Sequence, residues 1–199
     1  MLTALSADAF KNVQTNAGVF LIGIDPSKYE NLEKFNEAIS EAIVGEGCLG
    51  ATRGGGTFNV TKESRVIEAD GRRFGFKGDR VVDSIDAMLS TTLLEVTPEN
   101  FKKALGAADV VDGTWNKKIA PRTNYEDGDY IPVLTWVGDT NYGFIAITMY
   151  NALNVADLNF TFNDKGEGTL PVEFHAHQED VMDYDTPPFA IYAIEKPAV

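Results

Sequence analysis

The sequence predicts a mainly β protein of α+β type, and three observations carry that prediction. The 199 residues include 18 Gly, several of them in Asx-Gly pairs that mark tight turns. Short runs of β-branched and aromatic residues recur between those turns. With 12 Phe, 7 Tyr and a 44% hydrophobic share, they supply a real core. A stretch of sustained β character, residues 79–106 (DRVVDSIDAMLSTTLLEVTPENFKKALG), runs directly into a capped helix. The length suits a single domain over residues 1–199.

In chain order, residues 7–16 (ADAFKNVQTN) predict a short amphipathic helix, capped by Ser6 and anchored by Phe10 and Val13. Residues 18–25 (GVFLIGID) are a continuous apolar run that suits a strand buried on both faces, ended by Pro26. Residues 28–44 predict a helix, because Tyr29, Leu32, Phe35, Ile39, Ala42 and Ile43 recur at helical spacing. Ser27 offers its cap, and Gly45 and Gly47 stop it.

Residues 48–78 (CLGATRGGGTFNVTKESRVIEADGRRFGFKG) are the least regular part. Glycines 54–56 do not suit a conventional strand interior. Phe58, Val60, Val66 and Ile67 support one or two strands between residues 57 and 69. After the Asp70-Gly71 turn signal, residues 72–78 read as an exposed hairpin tip. Seven cations gather along this segment, Arg53, Lys62, Arg65, Arg72, Arg73, Lys77 and Arg80, in a chain of net charge −13. A cationic segment on an anionic body is suited to binding further copies of the same protein.

Residues 81–96 predict one long strand, bent or bulged, because neither alternating set is wholly apolar. Thr97 then caps a helix, Pro98 occupies a position that needs no N–H, and Glu99 suits the positive end of the helix dipole. Phe101, Ala104 and Leu105 share the face that must pack on a sheet, and Gly106 ends the helix. Residues 107–129 read as irregular, anchored by Trp115. Residues 130–138 and 142–151 pair as a hairpin about 139–141. Residues 156–162 alternate, with Leu158, Phe160 and Phe162 on one face. Residues 163–168 turn, and 169–177 return with Leu170, Val172, Phe174 and Ala176 inward. A loop over 183–188 leads to a closing strand at 189–195.

A net charge of −13 opposes nucleic-acid binding, because each phosphate contact needs a cation. It leaves plain solubility, or a surface that meets DNA without sticking to it. The single cysteine, Cys48, makes no internal disulfide and gives no sign of secretion. The first residues lack the basic and apolar regions of a signal peptide, and no apolar run approaches the roughly 20 residues of a spanning helix. The expected setting is cytoplasmic assembly, with no membrane role.

Candidate chemistry is sparse. His175 and His177 lie two apart on a strand, with Glu173 and Glu179 near, but that face points to solvent and no third ligand is evident. Cys48 lacks a neighbouring base. The glycines at 50 and 54–56 fit no phosphate-binding motif, and the carboxylates at 126–129 and 179–185 lack calcium-loop spacing. No G-x-S-x-G elbow occurs. The residues therefore assign no catalytic, cofactor-binding or metal role, and the chain is not expected to be an enzyme.

Several segments together resemble the tail tube (major tail) proteins of long-tailed bacteriophages and related prophage elements. They are NAGVFLIGID, LGATRGGGTFNV with ADGRRFGFKGD, LSTTLLEVTPENFKKALG, and ITMYNALNVADLNFTFNDKGEGTLPVEFHAHQED with PPFAIY. The likeness is one of pattern over most of the chain, most specific in TTLLEVTPENFKKALG and in LPVEFHAH followed by PPFAIY. It implies a two-sheet β-sandwich or barrel with a flanking α-helix, a long inter-ring loop at 49–78 and an N-terminal arm at 1–16. The helix at 28–44 is an insertion beyond a minimal tube subunit. The resemblance further implies hexameric rings stacked into a tube, in a virion tail assembled in the host bacterial cytoplasm. DNA would pass through its lumen without specific binding. The implied partners are further copies of the chain, a tape-measure protein, a tail assembly chaperone, and baseplate or tail-tip and tail terminator proteins; no cofactor is implied. The competing class is a monomeric β-sandwich binding module for a surface carbohydrate or protein, with Trp115, Tyr125, Tyr130 and Trp136 as an aromatic platform.

Overall fold

A computed structural model describes residues 13–45, 47–141, 143–179 and 185–195. Runs of alternating and β-branched residues there become ten strands, and two capped segments become α-helices. In order they are β1 Val19–Ile22, α1 Leu32–Val44, β2 Thr52–Val66, β3 Arg80–Leu93, α2 Pro98–Leu105, β4 Ala108–Asp112, β5 Lys117–Pro121, β6 Ile131–Thr140, β7 Gly143–Asn154, β8 Thr161–Asn163, β9 Gly166–His175 and β10 Phe189–Glu195. Eight strands join in one antiparallel sheet, ordered β1-β6-β7-β9-β3-β2, with β10 added to β7 and β8 to β9. Strands β4 and β5 form a separate two-stranded sheet.

The large sheet has two lobes because β7 changes partner along its length. Gly143–Met149 faces β10, whereas Leu153 and Asn154 face β9. Between them Asn151 adopts a left-handed backbone at φ 47°, a conformation Asn tolerates better than most side chains. Both lobes then feed one core. Phe20, Leu134 and Met149 meet Leu89, Leu93, Leu170, Val172 and Phe174, and Ala104 of α2 joins them.

Helix α1 covers the other face of the first lobe, setting Phe35 and Ala42 against Leu21, Val137 and Ala146. Strand β1 is accordingly buried on both faces, as its unbroken apolar run predicts. Phe20 enters the central core and Leu21 lies under α1.

Helix α2 follows its sequence signals. Thr97 Oγ1 accepts the Asn100 N–H at 3.1 Å, and Gly106 ends the helix at φ 72°. Ala104 is buried, while Phe101 and Leu105 are half-buried; Phe101 sets its ring edge-on to Phe160, with centroids 5.4 Å apart. Helix α1 begins later than predicted. Ser27 lies inside a single 3₁₀ turn capped by Asp25, and Tyr29 is extended. The N-cap of α1 is Asn31, which accepts the Lys34 N–H at 2.9 Å.

Three further expectations are corrected. The end of the predicted N-terminal helix is extended: Gln14 bridges Thr140, and the Thr15 N–H donates to the Asp139 carbonyl. The rest of that helix and most of the 1–16 arm lie outside the described residues. Residues 107–129 contain a hairpin, and Trp115 sits 88% exposed near its turn instead of anchoring it. Arg122 anchors the segment, its guanidinium meeting Asp129 at 2.5 Å, Glu126 at 2.7 Å and Asp109 at 3.1 Å. Residues 156–160 form no strand, and only Thr161–Asn163 pairs with β9. The Asn154 side chain explains this. It accepts the Glu173 N–H at 2.6 Å and donates to the Ala156 carbonyl at 3.1 Å, occupying the flank of β9 that the segment would need. Leu158 and Phe162 are consequently exposed, and Phe160 alone packs on the core.

Candidate assembly surface: a protruding hairpin

Strands β2 and β3 pair from Thr52↔Leu93 outward to Val66↔Arg80. Only the inner part of that ribbon belongs to the body. Strand β9 pairs with β3 over Met88–Leu93, and the Ala176 N–H makes one further bond to the Ala87 carbonyl. Beyond that point, among the described residues, β3 has β2 as its sole strand neighbour, and β2 is the outer strand of the sheet. Every residue from Thr61 to Arg65 and from Arg80 to Asp86 is exposed. At about 3.4 Å per residue, the paired part of this arm extends roughly 20 Å.

A lone two-stranded ribbon is marginally stable in water, so local bonds must hold the arm. Arg65 spans the strands to Asp83 at 2.9 Å. At the tip, Arg72 donates to the carbonyls of Ile67 (2.8 Å) and Phe74 (3.0 Å) and pairs with Asp79, which also accepts the Phe76 N–H. Arg72 and Asp79 are both largely shielded from solvent. The tip is built as a closed structure around one ion pair. Near the base, Gly54 and Gly55 take φ of 76° and 75° in a bulge between the pairs Thr52↔Leu93 and Gly56↔Thr91. The glycine run thus bends the strand rather than filling a regular ladder.

The seven predicted cations do not form one patch. Arg53 pairs with Glu167 of β9 at 3.0 Å at the base, Arg65 with Asp83, and Arg72 with Asp79; Arg80 reaches the Ser64 hydroxyl at 3.5 Å. Lys62, Arg73 and Lys77 are exposed and make no ion pair among the described residues. The same segment carries Glu63, Glu68, Asp70, Asp79, Asp83 and Asp86, so the arm is close to neutral. The acidic charge therefore resides in the rest of the chain. Of the seven cations, Lys62, Arg73, Lys77 and Arg80 are left without an ion pair among the described residues.

The arm is also apolar in part. Phe74 is 80% exposed and Phe76 66%, and Ile67, Val82 and Ile85 are exposed with them. Exposed apolar groups clustered on one protrusion mark a contact surface. Their signal in the sequence is apolar residues at 67, 74, 76, 82 and 85 inside an otherwise charged stretch. Strand β10 offers a second opening: among the described residues it has β7 as its only strand neighbour, and Ile191 is exposed. The outer side of β1, by contrast, is bonded to Gly47 and Leu49.

The four candidate platform aromatics are not brought together. Trp115 and Tyr125 are exposed, Tyr130 stands edge-on to His177, and Trp136 packs on the core with its indole N–H on the Ala17 carbonyl (2.9 Å). His175 and His177 also part company, the first meeting Asp86 and Glu173 and the second the Asn151 carbonyl. Tyr150 donates to Asp25 at 3.3 Å; burial first, then Tyr192 and the Asp25 carboxylate, push its phenol well above its ordinary value. That phenol stays protonated and structural. No helix among the described residues is long and apolar enough to cross a membrane. The chain matches no protein-family model and no curated protein.

Proposed function

We propose that the protein is a structural virion protein of tail-tube type, whose two sheet lobes form the sandwich of a tube subunit. Six copies close a ring, rings stack into a phage tail tube, and the arm of one copy seats on the acidic body of the next. One observation carries this reading: a ribbon about 20 Å long with exposed Phe74 and Phe76, which its own domain leaves uncovered. The open edge of β10 supports ring closure, since pairing with a neighbour removes the liability of an exposed strand. The acidic body supports a lumen that DNA crosses without adhering. Assembly would take place in the host bacterial cytoplasm, with a tape-measure protein, a tail assembly chaperone, and tip and terminator proteins as further partners.

Negative-stain microscopy of the purified protein, alone or with its tail initiator, tests the proposal. Rings or tubes are expected. A sample that stays monomeric across salt and concentration overturns it. A monomeric binding module is the second reading, favoured by the exposure of Trp115 and Tyr125. Glycan binding by a monomer, lost on Trp115→Ala, would select that reading instead.

A further inference from the structure

His175 sits where the arm leaves the body. Its backbone pairs with Met88 of β3 and Leu153 of β7, and the next residue, Ala176, bonds the Ala87 carbonyl. Asp86 is therefore the first β3 residue of the arm. Its Oδ1 lies 2.9 Å from His175 Nδ1, and Glu173 Oε1 lies 3.2 Å from Nε2. The imidazole is 19% exposed, while the Asp86 and Glu173 carboxylates that flank it face solvent more openly. A neutral imidazole carries one N–H and serves one of the two carboxylates; the imidazolium donates to both.

We propose that His175 is a proton-operated latch that sets how firmly the arm is held to the body. Charged, the ring ties Asp86 of the arm to Glu173 of the body. Neutral, it leaves two carboxylates facing each other across a single donor, and the root of the arm loosens. Strand β2 brings no competing charge to the ring, since Asn59 lies opposite Met88 and Thr61 opposite Asp86. Glu63 is farther out and accepts the Ser84 hydroxyl at 3.2 Å; Lys62 lies opposite Ile85, on the other face. Strand β7 brings Leu153.

The direction of the titration agrees. Burial favours the neutral ring, but the bonds to Asp86 and Glu173 outweigh it and raise the pKa above the ordinary 6.5. With the folded value raised, the latch contributes fully below the unfolded pKa and is lost as pH rises through the folded one. Its effect on the arm stands alone; its effect on stacking rests on the proposed function.

The chain has two histidines, so ring-proton NMR of the full-length protein, with His177→Asn for assignment, follows His175 directly. Amide exchange of the arm is measured over the same pH range. His175 is expected to titrate above 6.5. Exchange at residues 80–86, corrected for its intrinsic pH dependence, should quicken about threefold or more through that midpoint. Asp86→Asn should remove the step and lower the midpoint, while His177→Asn keeps both. Arm exchange that stays flat as His175 titrates overturns the latch, as does a His175 midpoint at or below 6.5. Light scattering separates the two proposals. An arm that tracks His175 in a protein that never polymerises keeps the latch and removes the assembly reading. Polymers with a pH-independent arm do the reverse.

Discussion

Two buried asparagines join helix α2 to the chain segments around it. The Asn100 amide donates to the carbonyls of Leu49 (3.1 Å) and Glu95 (2.9 Å), and the Asn154 amide to that of Ala104 (2.7 Å). Asn154 also accepts the Glu173 N–H, so one side chain satisfies buried groups on α2, β9 and the chain beyond β7. Its loss would take these partners from the buried Ala104 carbonyl and the half-buried Glu173 N–H. Asn154→Ala is expected to cost about 2–4 kcal/mol in urea unfolding, since each orphaned group costs about 1–3 kcal/mol. A change below about 0.5 kcal/mol, the range of an ordinary surface substitution, would refute that role. Asn carries no hydrophobic periodicity, which is why position 154 is silent in the sequence.

At the scale of elements, the β2–β3 arm and the sheet can be separated. Residues 61–86 bond among themselves apart from the His175–Asp86 contact at the root, and the core cluster takes none of them, its nearest members on these strands being Phe58 and Leu89. Replacing residues 62–85 by a two-residue Asn-Gly turn between the paired Thr61 and Asp86 should therefore leave the body folded. Melting within about 5 °C of the parent, with polymerisation abolished, is the expected outcome, because a stability change near 1 kcal/mol moves Tm by a few degrees at this size. Collapse of the fold would mean that the arm is part of the core; unaltered polymerisation would mean that it is not the contact.

For the whole molecule, the charge account has a direct test. In the proposed assembly Lys62, Arg73 and Lys77 would meet the acidic body of a neighbour, and reversing all three to Glu should then abolish stacking while leaving the melting curve of the subunit unchanged. Polymerisation by the triple variant at the parental rate would leave Phe74 and Phe76 as the whole of the contact. The sequence by itself determined the elements whose physics is local. Thr97, Pro98 and Gly106 set the ends of α2, alternation set β9, and the run VFLI announced a strand covered on both sides. The tertiary structure decided what depends on distant partners. Asn154 took the flank of β9 and so denied the alternating residues 156–160 a strand to pair with. Carboxylates brought beside Arg53, Arg65 and Arg72 left four of the seven arm cations without an ion pair among the described residues. Periodicity and caps are read within a few residues, whereas hydrogen-bond competition and ion pairing are settled only when chain segments far apart in sequence meet.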